Sequence, residues 1–232
     1  MRALVCPGQG SQKKSFLSPW LEIDGVREHL QRLSDAAGID LIHYGTEAEE
    51  ETIKDTAIAQ PLIVAAGIVT GRKVLQKLGE SKLILAGHSV GEITAAALAG
   101  VLTEEDAMRF VRVRATGMAA VLGGVEQDVR QAIDEAALVA ANSNGAGQIV
   151  AAGPLEAIEA FAANPPARAR VIPLKVAGAF HTQAMAPAVE PLAAFAAELT
   201  VNDPAYELLS NRDGERISTG REFVDSLVSQ VT

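Results

Sequence analysis

The sequence predicts an α/β protein with a parallel-sheet core, interrupted by a smaller inserted α+β subdomain. Three observations carry this. Short apolar runs alternate with longer helical patterns before residue 116 and again after 178, the arrangement that builds a parallel sheet. Between them the rhythm changes to strand, helix, strand, strand, helix, strand, the ferredoxin-like order. And G-H-S-V-G at 87–91 lies between an apolar run and a run of helix formers, a strand–turn–helix that displays a serine. The core is thus expected over 1–115 and 179–232, and the subdomain over 116–178.

In chain order, residues 2–6 (R-A-L-V-C) suit a first buried strand, followed by the glycine-rich loop P-G-Q-G-S-Q at 7–12. Leu21, Val26, Leu30 and Leu33 recur near helical spacing and predict a helix over 18–37. A second helical pattern covers 57–77, with its start near Pro61. A strand is expected at 82–86 and helices at 92–99 and 104–114, with Gly100 just past the first of these. The inserted part reads as strands at 117–123, 137–142, 148–153 and 169–176 and helices at 125–136 and 154–163, with Pro165-Pro166 in the last crossover. An Ala-rich helix over 182–199 is complicated by Pro187 and Pro191. A return strand at 206–210 and a helix at 221–230 complete the pattern.

The chain has 232 residues, 48% of them hydrophobic, enough for one sizeable core with a smaller insert. The net charge of −9 and the absence of a basic block argue against a nucleic-acid surface. A single cysteine, Cys6, allows no internal disulfide and fits a reducing compartment; its apolar neighbours mark it as a small core residue. No signal peptide is visible, and no apolar run is expected to cross a membrane. These features predict a soluble cytoplasmic protein.

Chemistry concentrates at the serine. At the apex of a tight strand-to-helix turn Ser89 stands exposed near a helix N-terminus, and Gly87 and Gly91 avoid the clashes side chains would make there. The plain alternative is an ordinary βα turn. A serine nucleophile needs a base, and there are only four histidines. His29 and His43 lie in helical stretches where surface or core roles are the expectation. His88 precedes Ser89 and points away from it, lining the pocket or packing. His181, in G-A-F-H-T-Q, falls at a strand-to-helix junction where the core resumes; it is read as the general base, against a buried structural role. An oxyanion would be held by the Val90 N–H and by a second donor from a neighbouring loop, for which Gln9 offers backbone and side-chain amides; alone, Gln9 reads as an ordinary loop glutamine. The helix after the elbow helix ends in three arginines, Arg109, Arg112 and Arg114, any of which could grip a carboxylate by two parallel bonds. Spacing does not choose among them.

Together, P-G-Q-G-S-Q at 7–12, A-Q-P at 59–61, G-H-S-V-G-E at 87–92 and A-F-H at 179–181 resemble the malonyl-CoA:acyl carrier protein transacylase family, which is similar to the acyltransferase domains of polyketide synthases. The resemblance covers the whole chain. It implies a hydrolase-like core with a ferredoxin-like subdomain. It also implies transfer of a malonyl group from coenzyme A to the phosphopantetheine thiol of acyl carrier protein, for fatty-acid synthesis, with no cofactor and no metal. By resemblance, Ser89 is the acyl-carrying nucleophile and His181 its base. Gln9 and Val90 form the oxyanion hole, and Arg114 holds the malonyl carboxylate. Gln60 and His88 line the pocket, Asn144 is a polar residue of the subdomain near the cleft, and Phe180 fills the space a branched methyl would need. One methyl decides only about 1–3 kcal/mol, so this is a preference rather than a gate.

Two departures from the family pattern stand out. Only Ala115 and Thr116 separate Arg114 from Gly117, where family members have a longer connection. The family also continues past the position of Thr232 with a segment whose backbone carbonyl orients the histidine. The rival readings are a serine thioesterase or hydrolase of the same elbow type, and a truncated inactive module that binds coenzyme A or carrier protein. No nucleic acid or membrane partner is expected. Docking of an acidic carrier protein would use exposed arginines such as Arg168, Arg170 and Arg212.

Overall fold

The computed structural model describes residues 2–79, 82–115, 117–143, 147–153, 155–174, 181 and 185–232. They form two compact units: Met1–Arg112 with Ala193–Gln230, and Val113–Leu192 with Val231–Thr232.

The first unit is built on three parallel strands, β1 (Arg2–Cys6), β2 (Leu83–Gly87) and β7 (Glu207–Leu209), in the order β1-β2-β7. Leu4 lies opposite Leu85, and Leu85 opposite Leu208. Leu83 and Leu85 are buried, so β2 presents its apolar set to the helices.

Its helices do not all follow the sequence pattern. The helix expected over 18–37 is shorter: Gly25, at φ 77, breaks it, leaving α1 at Val26–Ala37 with a short turn at Ser18–Trp20 before it. A short helix α2, Leu41–Thr46, was not expected; Asp40 caps it by accepting from the His43 N–H at 2.9 Å. Helix α3 runs from Thr56 to Leu78, capped by Asp55, and Pro61 sits inside it rather than at its start. A proline there leaves the carbonyl four residues earlier without its helical donor. That carbonyl is Ala57, and the Arg112 guanidinium donates to it at 3.1 Å. By length and composition α3 could cross a membrane, contrary to the expectation of no such run: its window has mean hydropathy 1.3, and 61% of it is buried within the protein.

Helix α4 (Gly91–Leu98) packs on α3 through two small residues one turn apart. A Cβ at Gly67 would lie 2.6 Å from Thr94 Cγ2, and one at Gly71 2.4 Å from Leu98 Cδ1, so side chains there would force the helices apart. Helix α5 (Glu104–Arg114) opens with Thr103 as cap, accepting from the Asp106 N–H at 3.0 Å. Glu104 ties three helices together: it accepts from Arg72 Nε of α3 at 2.6 Å and meets His29 Nε2 of α1 at 2.6 Å. Arg72 also donates to the Ala97 carbonyl at the end of α4, favourable for a cation at a helix C-terminus. Burial raises the Glu104 pKa, but the bonds from His29 and Arg72 outweigh it and hold the carboxyl down at about 2.

The second unit contains β3 (Gly117–Gly123), α6 (Glu126–Glu135), β4 (Val139–Ser143), β5 (Gln148–Gly153), α7 (Leu155–Ala163) and β6 (Ala169–Leu174). Its strands pair antiparallel in the order β4-β5-β3-β6. Ala119, Val121, Ile149 and Ala151 from the sheet meet Val129, Ile133, Ile158 and Phe161 from the helices in one core. Helix α8 (Ala186–Glu198), which contains Pro191, starts in the second unit and ends in the first, and helix α9 (Gly220–Ser229), capped by Thr219, belongs to the first.

Candidate active site

Strand β2 ends at Gly87, and α4 begins at Gly91. The turn between them places Ser89 at φ 51, a left-handed conformation that costs a residue with a Cβ about 1 kcal/mol or more. Both glycines are required by close approach. A Cβ at Gly87 would lie 2.2 Å from the Glu92 nitrogen, and one at Gly91 2.2 Å from the Cys6 carbonyl oxygen. The His88 N–H donates to that Cys6 carbonyl at 2.9 Å, extending the β1–β2 pairing into the turn. The His88 and Ser89 carbonyls accept from the Gly91 and Glu92 amides at 2.9 and 3.0 Å.

The loop after β1 runs along this turn. A Cβ on Gly8 would lie 2.5 Å from His88 Nδ1, so the backbone passes close against His88, whose side chain is exposed. The next residue, Gln9, is held from α3: its Nε2 donates to Thr56 Oγ1 at 3.1 Å, and its Oε1 accepts from Gln60 Nε2 at 3.2 Å. Gln60 and Thr56 are both buried. The side-chain amide that could have served an oxyanion is therefore engaged, but the Gln9 backbone N–H has no acceptor among the described residues, and neither does that of Val90.

Beneath the turn lies a carboxylate that sequence reasoning gave no role. Glu92 is 1% exposed. It accepts from the Asn211 N–H at 2.7 Å and from the Gln230 side-chain amide, whose nitrogen is also 3.5 Å from the Ser89 carbonyl. A glutamate in the first turn of a helix is ordinary, so the only signal was its place at the end of G-H-S-V-G-E. Cys6 is buried, which pushes its thiol up to about 12 and leaves it unreactive. Among the described residues no group of three or more His, Cys, Asp or Glu could hold a metal ion.

Of the remaining candidates, Arg109 and Arg112 belong to the first unit, Arg114 and His181 to the second, and two lie outside the description. The three arginines, alike in sequence, separate cleanly. Arg109 is an exposed partner of Asp106 at 2.9 Å, Arg112 satisfies the Ala57 carbonyl, and Arg114 is 1% exposed at the end of α5. A buried guanidinium is rare without a task for its charge. His181 is exposed rather than a buried structural residue, has φ 63, and donates its N–H to the Val231 carbonyl at 2.9 Å. Asn144 and Phe180 fall outside the described residues.

The family described as acyl transferase domain matches residues 3–225. The malonyl CoA-acyl carrier protein transacylase of Mycobacterium tuberculosis is 48% identical over 245 aligned positions, covering 100% of this chain and 81% of its own. The chain belongs to the malonyl CoA-acyl carrier protein transacylase family of acyltransferases. That alignment is longer than the 232 residues of the chain, so the relative has residues this family member lacks. The crystal structure of the Mycobacterium tuberculosis family member superposes with TM-score 0.72 at 48% identity, covering 100% of this chain and 81% of that one. A malonyl-transacylase solved in complex with its type II PKS acyl-carrier protein gives TM-score 0.67 at 29% identity, covering 99% and 80%. The family architecture, mixed α/β with one parallel and one antiparallel sheet, is the one seen here.

Proposed function

We propose that this acyltransferase moves a malonyl group from coenzyme A to the phosphopantetheine thiol of acyl carrier protein, for fatty-acid synthesis, through an ester on Ser89. The observation that carries the proposal is the strained φ of 51 at Ser89, on a turn that two glycines alone can close. Strain of this kind persists where the surroundings over-determine it, and it clusters at functional sites.

In the first step His181 takes the Ser89 hydroxyl proton as the oxygen attacks the malonyl thioester carbonyl. The tetrahedral oxyanion is held by the N–H groups of Gln9 and Val90, which meet no acceptor among the described residues, while the side-chain bonds of Gln9 to Thr56 and Gln60 fix the loop that presents its amide. The intermediate collapses, the C–S bond breaks, and protonated His181 returns the proton to the departing coenzyme A sulfur. In the second step His181 takes the carrier thiol proton, the sulfur attacks the ester, and Ser89 recovers its hydrogen. By the family resemblance Arg114 is assigned the malonyl carboxylate, His88 and Asn144 substrate contacts, and Phe180 the exclusion of a branched acyl group, while Gln60, buried against Gln9, serves the site through that loop.

The sheet order β4-β5-β3-β6 supports reading 116–178 as a ferredoxin-like subdomain, and the three parallel strands support a hydrolase-like core over 1–115 and 179–232. No cofactor is required, the coenzyme A thioester being substrate, and the reaction suits the cytoplasm. For carrier docking, Arg168 and Arg170 are exposed and without an ion-pair partner among the described residues, whereas Arg212 is paired to Asp213 at 3.0 Å.

Intact-mass measurement with malonyl-CoA tests the proposal. The protein should gain one malonyl group, lose it on adding holo carrier protein, and gain none as Ser89→Ala. Labelling that persists in Ser89→Ala removes Ser89. Rapid release of malonate without carrier favours the hydrolase, and no adduct at all favours an inactive binding module.

A further inference from the structure

We propose that Glu92 and Gln230 form a clamp that positions the nucleophile turn, so that both are positioning residues for transfer at Ser89. A buried carboxylate in the first turn of α4 accepts from the backbone of Asn211, just past β7, and from the Gln230 side chain at the end of α9, and that same amide reaches the Ser89 carbonyl. The proposal deepens the reading of Ser89 as nucleophile and rests on it.

Burying a carboxylate is costly unless donors surround it. A turn held only for packing could bury an alanine or leucine at this position more cheaply. The carboxylate instead joins the turn to two elements distant in sequence, and it does so three residues after the strained serine. The Ser89 carbonyl accepts from the Glu92 N–H at 3.0 Å and lies 3.5 Å from the Gln230 amide nitrogen. Backbone and side chain of one glutamate therefore fasten the serine, directly and through Gln230. Releasing the clamp lets Ser89 relax from φ 51 toward ordinary backbone values. That swings its hydroxyl and the Val90 N–H together, and displacement of this kind lowers rate more than it lowers binding.

The test is a charge swap. Glu92→Gln leaves two amides facing each other, Gln230→Glu leaves two carboxylates, and the double variant restores one of each with the positions exchanged. Formation of the malonyl adduct is timed by intact mass over a range of malonyl-CoA concentrations. We expect Glu92→Gln to slow loading at saturation about tenfold, with the half-saturating concentration unchanged within twofold. Gln230→Glu should be slower still, and the double variant should return to within about threefold of the unaltered protein. A wild-type rate in Glu92→Gln overturns the clamp, as does a double variant no faster than the slower single. If either charge variant fails to fold, Gln230→Ala decides: it should load several-fold more slowly, and unchanged loading overturns the clamp. A parallel series with a fluorophosphonate probe, which phosphonylates a serine with loss of fluoride, separates this proposal from the reading beneath it. If the unaltered protein takes the probe on Ser89 but no malonyl group, the transfer reading fails, and the order of probe rates across the variants still decides the clamp.

Discussion

Gln60 Nε2 donates to Gln9 Oε1 at 3.2 Å, joining a buried position in the second turn of α3 to the loop that follows β1. With Thr56 on the other side of the same amide, Gln9 is committed by its side chain and available by its backbone. Gln60 therefore acts on the site from behind. Replacing it by alanine removes one of two restraints on the Gln9 loop and should lower the rate of Ser89 malonylation about tenfold, less than the loss of a whole oxyanion donor costs. Stopped-flow release of coenzyme A measures this, and an unchanged rate would detach Gln60 from the oxyanion hole.

Gly91→Ala should be among the most damaging small substitutions in the first unit. Its Cβ would have to share space with the Cys6 carbonyl at 2.2 Å and the Pro7 carbonyl at 2.6 Å, both backbone atoms with no rotamer to escape into. Loss of about 3 kcal/mol in urea unfolding is the expected result. A stability within 1 kcal/mol of the parent would mean that β1 and the turn are not so closely joined.

Arg112 and Pro61 should be energetically coupled. Arg112→Ala leaves the buried Ala57 carbonyl without the donor that replaces the missing Pro61 amide, a loss of roughly 1–3 kcal/mol. In a Pro61→Ala background the helix supplies its own N–H, so the same Arg112→Ala change should cost about 1 kcal/mol less. A double-mutant cycle by denaturant midpoint reads the coupling, and strict additivity would contradict it.

Acid should weaken the first unit partly through Glu104. Its carboxyl is held at about 2, below the ordinary 4.5. A depressed carboxyl contributes fully above its unfolded pKa and loses that contribution as the pH falls through its folded one. The window is therefore pH 4.5 down to about 2, and the contribution is about 3 kcal/mol. Glu104→Gln should be less stable than the parent at pH 7, with the difference narrowing below pH 4.5 and closing only as the pH falls below about 2. A gap that stayed constant over that range would exclude the mechanism.

Arg114→Ala should narrow the preference for malonyl over acetyl thioesters about tenfold or more, read as the ratio of kcat/KM values. An unchanged ratio would assign the buried guanidinium to structure alone.

Much of the architecture is legible along the chain, because period and punctuation are local properties. The apolar run ending at Gly87, the helix formers after Gly91 and the stop at Gly100 define the serine turn without reference to any other part of the protein. The β-α-β-β-α-β rhythm of the insert is equally local. Errors fell where two local signals competed: Leu21 at helical spacing suggested one helix over 18–37, but Gly25 in a left-handed conformation ended that possibility. Pro61 suggested a helix start because the sequence does not show that a remote guanidinium would stand in for its missing amide.

By itself, then, the sequence determined the two-part α/β plan, the serine on its glycine-flanked turn, and the motifs that place the chain among malonyl transacylases. Only the tertiary structure decided which arginine is buried, that Gln9 turns its side chain to α3 while its backbone amide meets no acceptor among the described residues, and that Glu92 lies under the Ser89 turn in contact with Gln230. The reason is physical. Turn geometry depends on the residues in the turn, whereas desolvation and hydrogen-bond partnership depend on which distant segments fold against it, and Asn211 and Gln230 meet Glu92 only when the sheet and its covering helices have assembled.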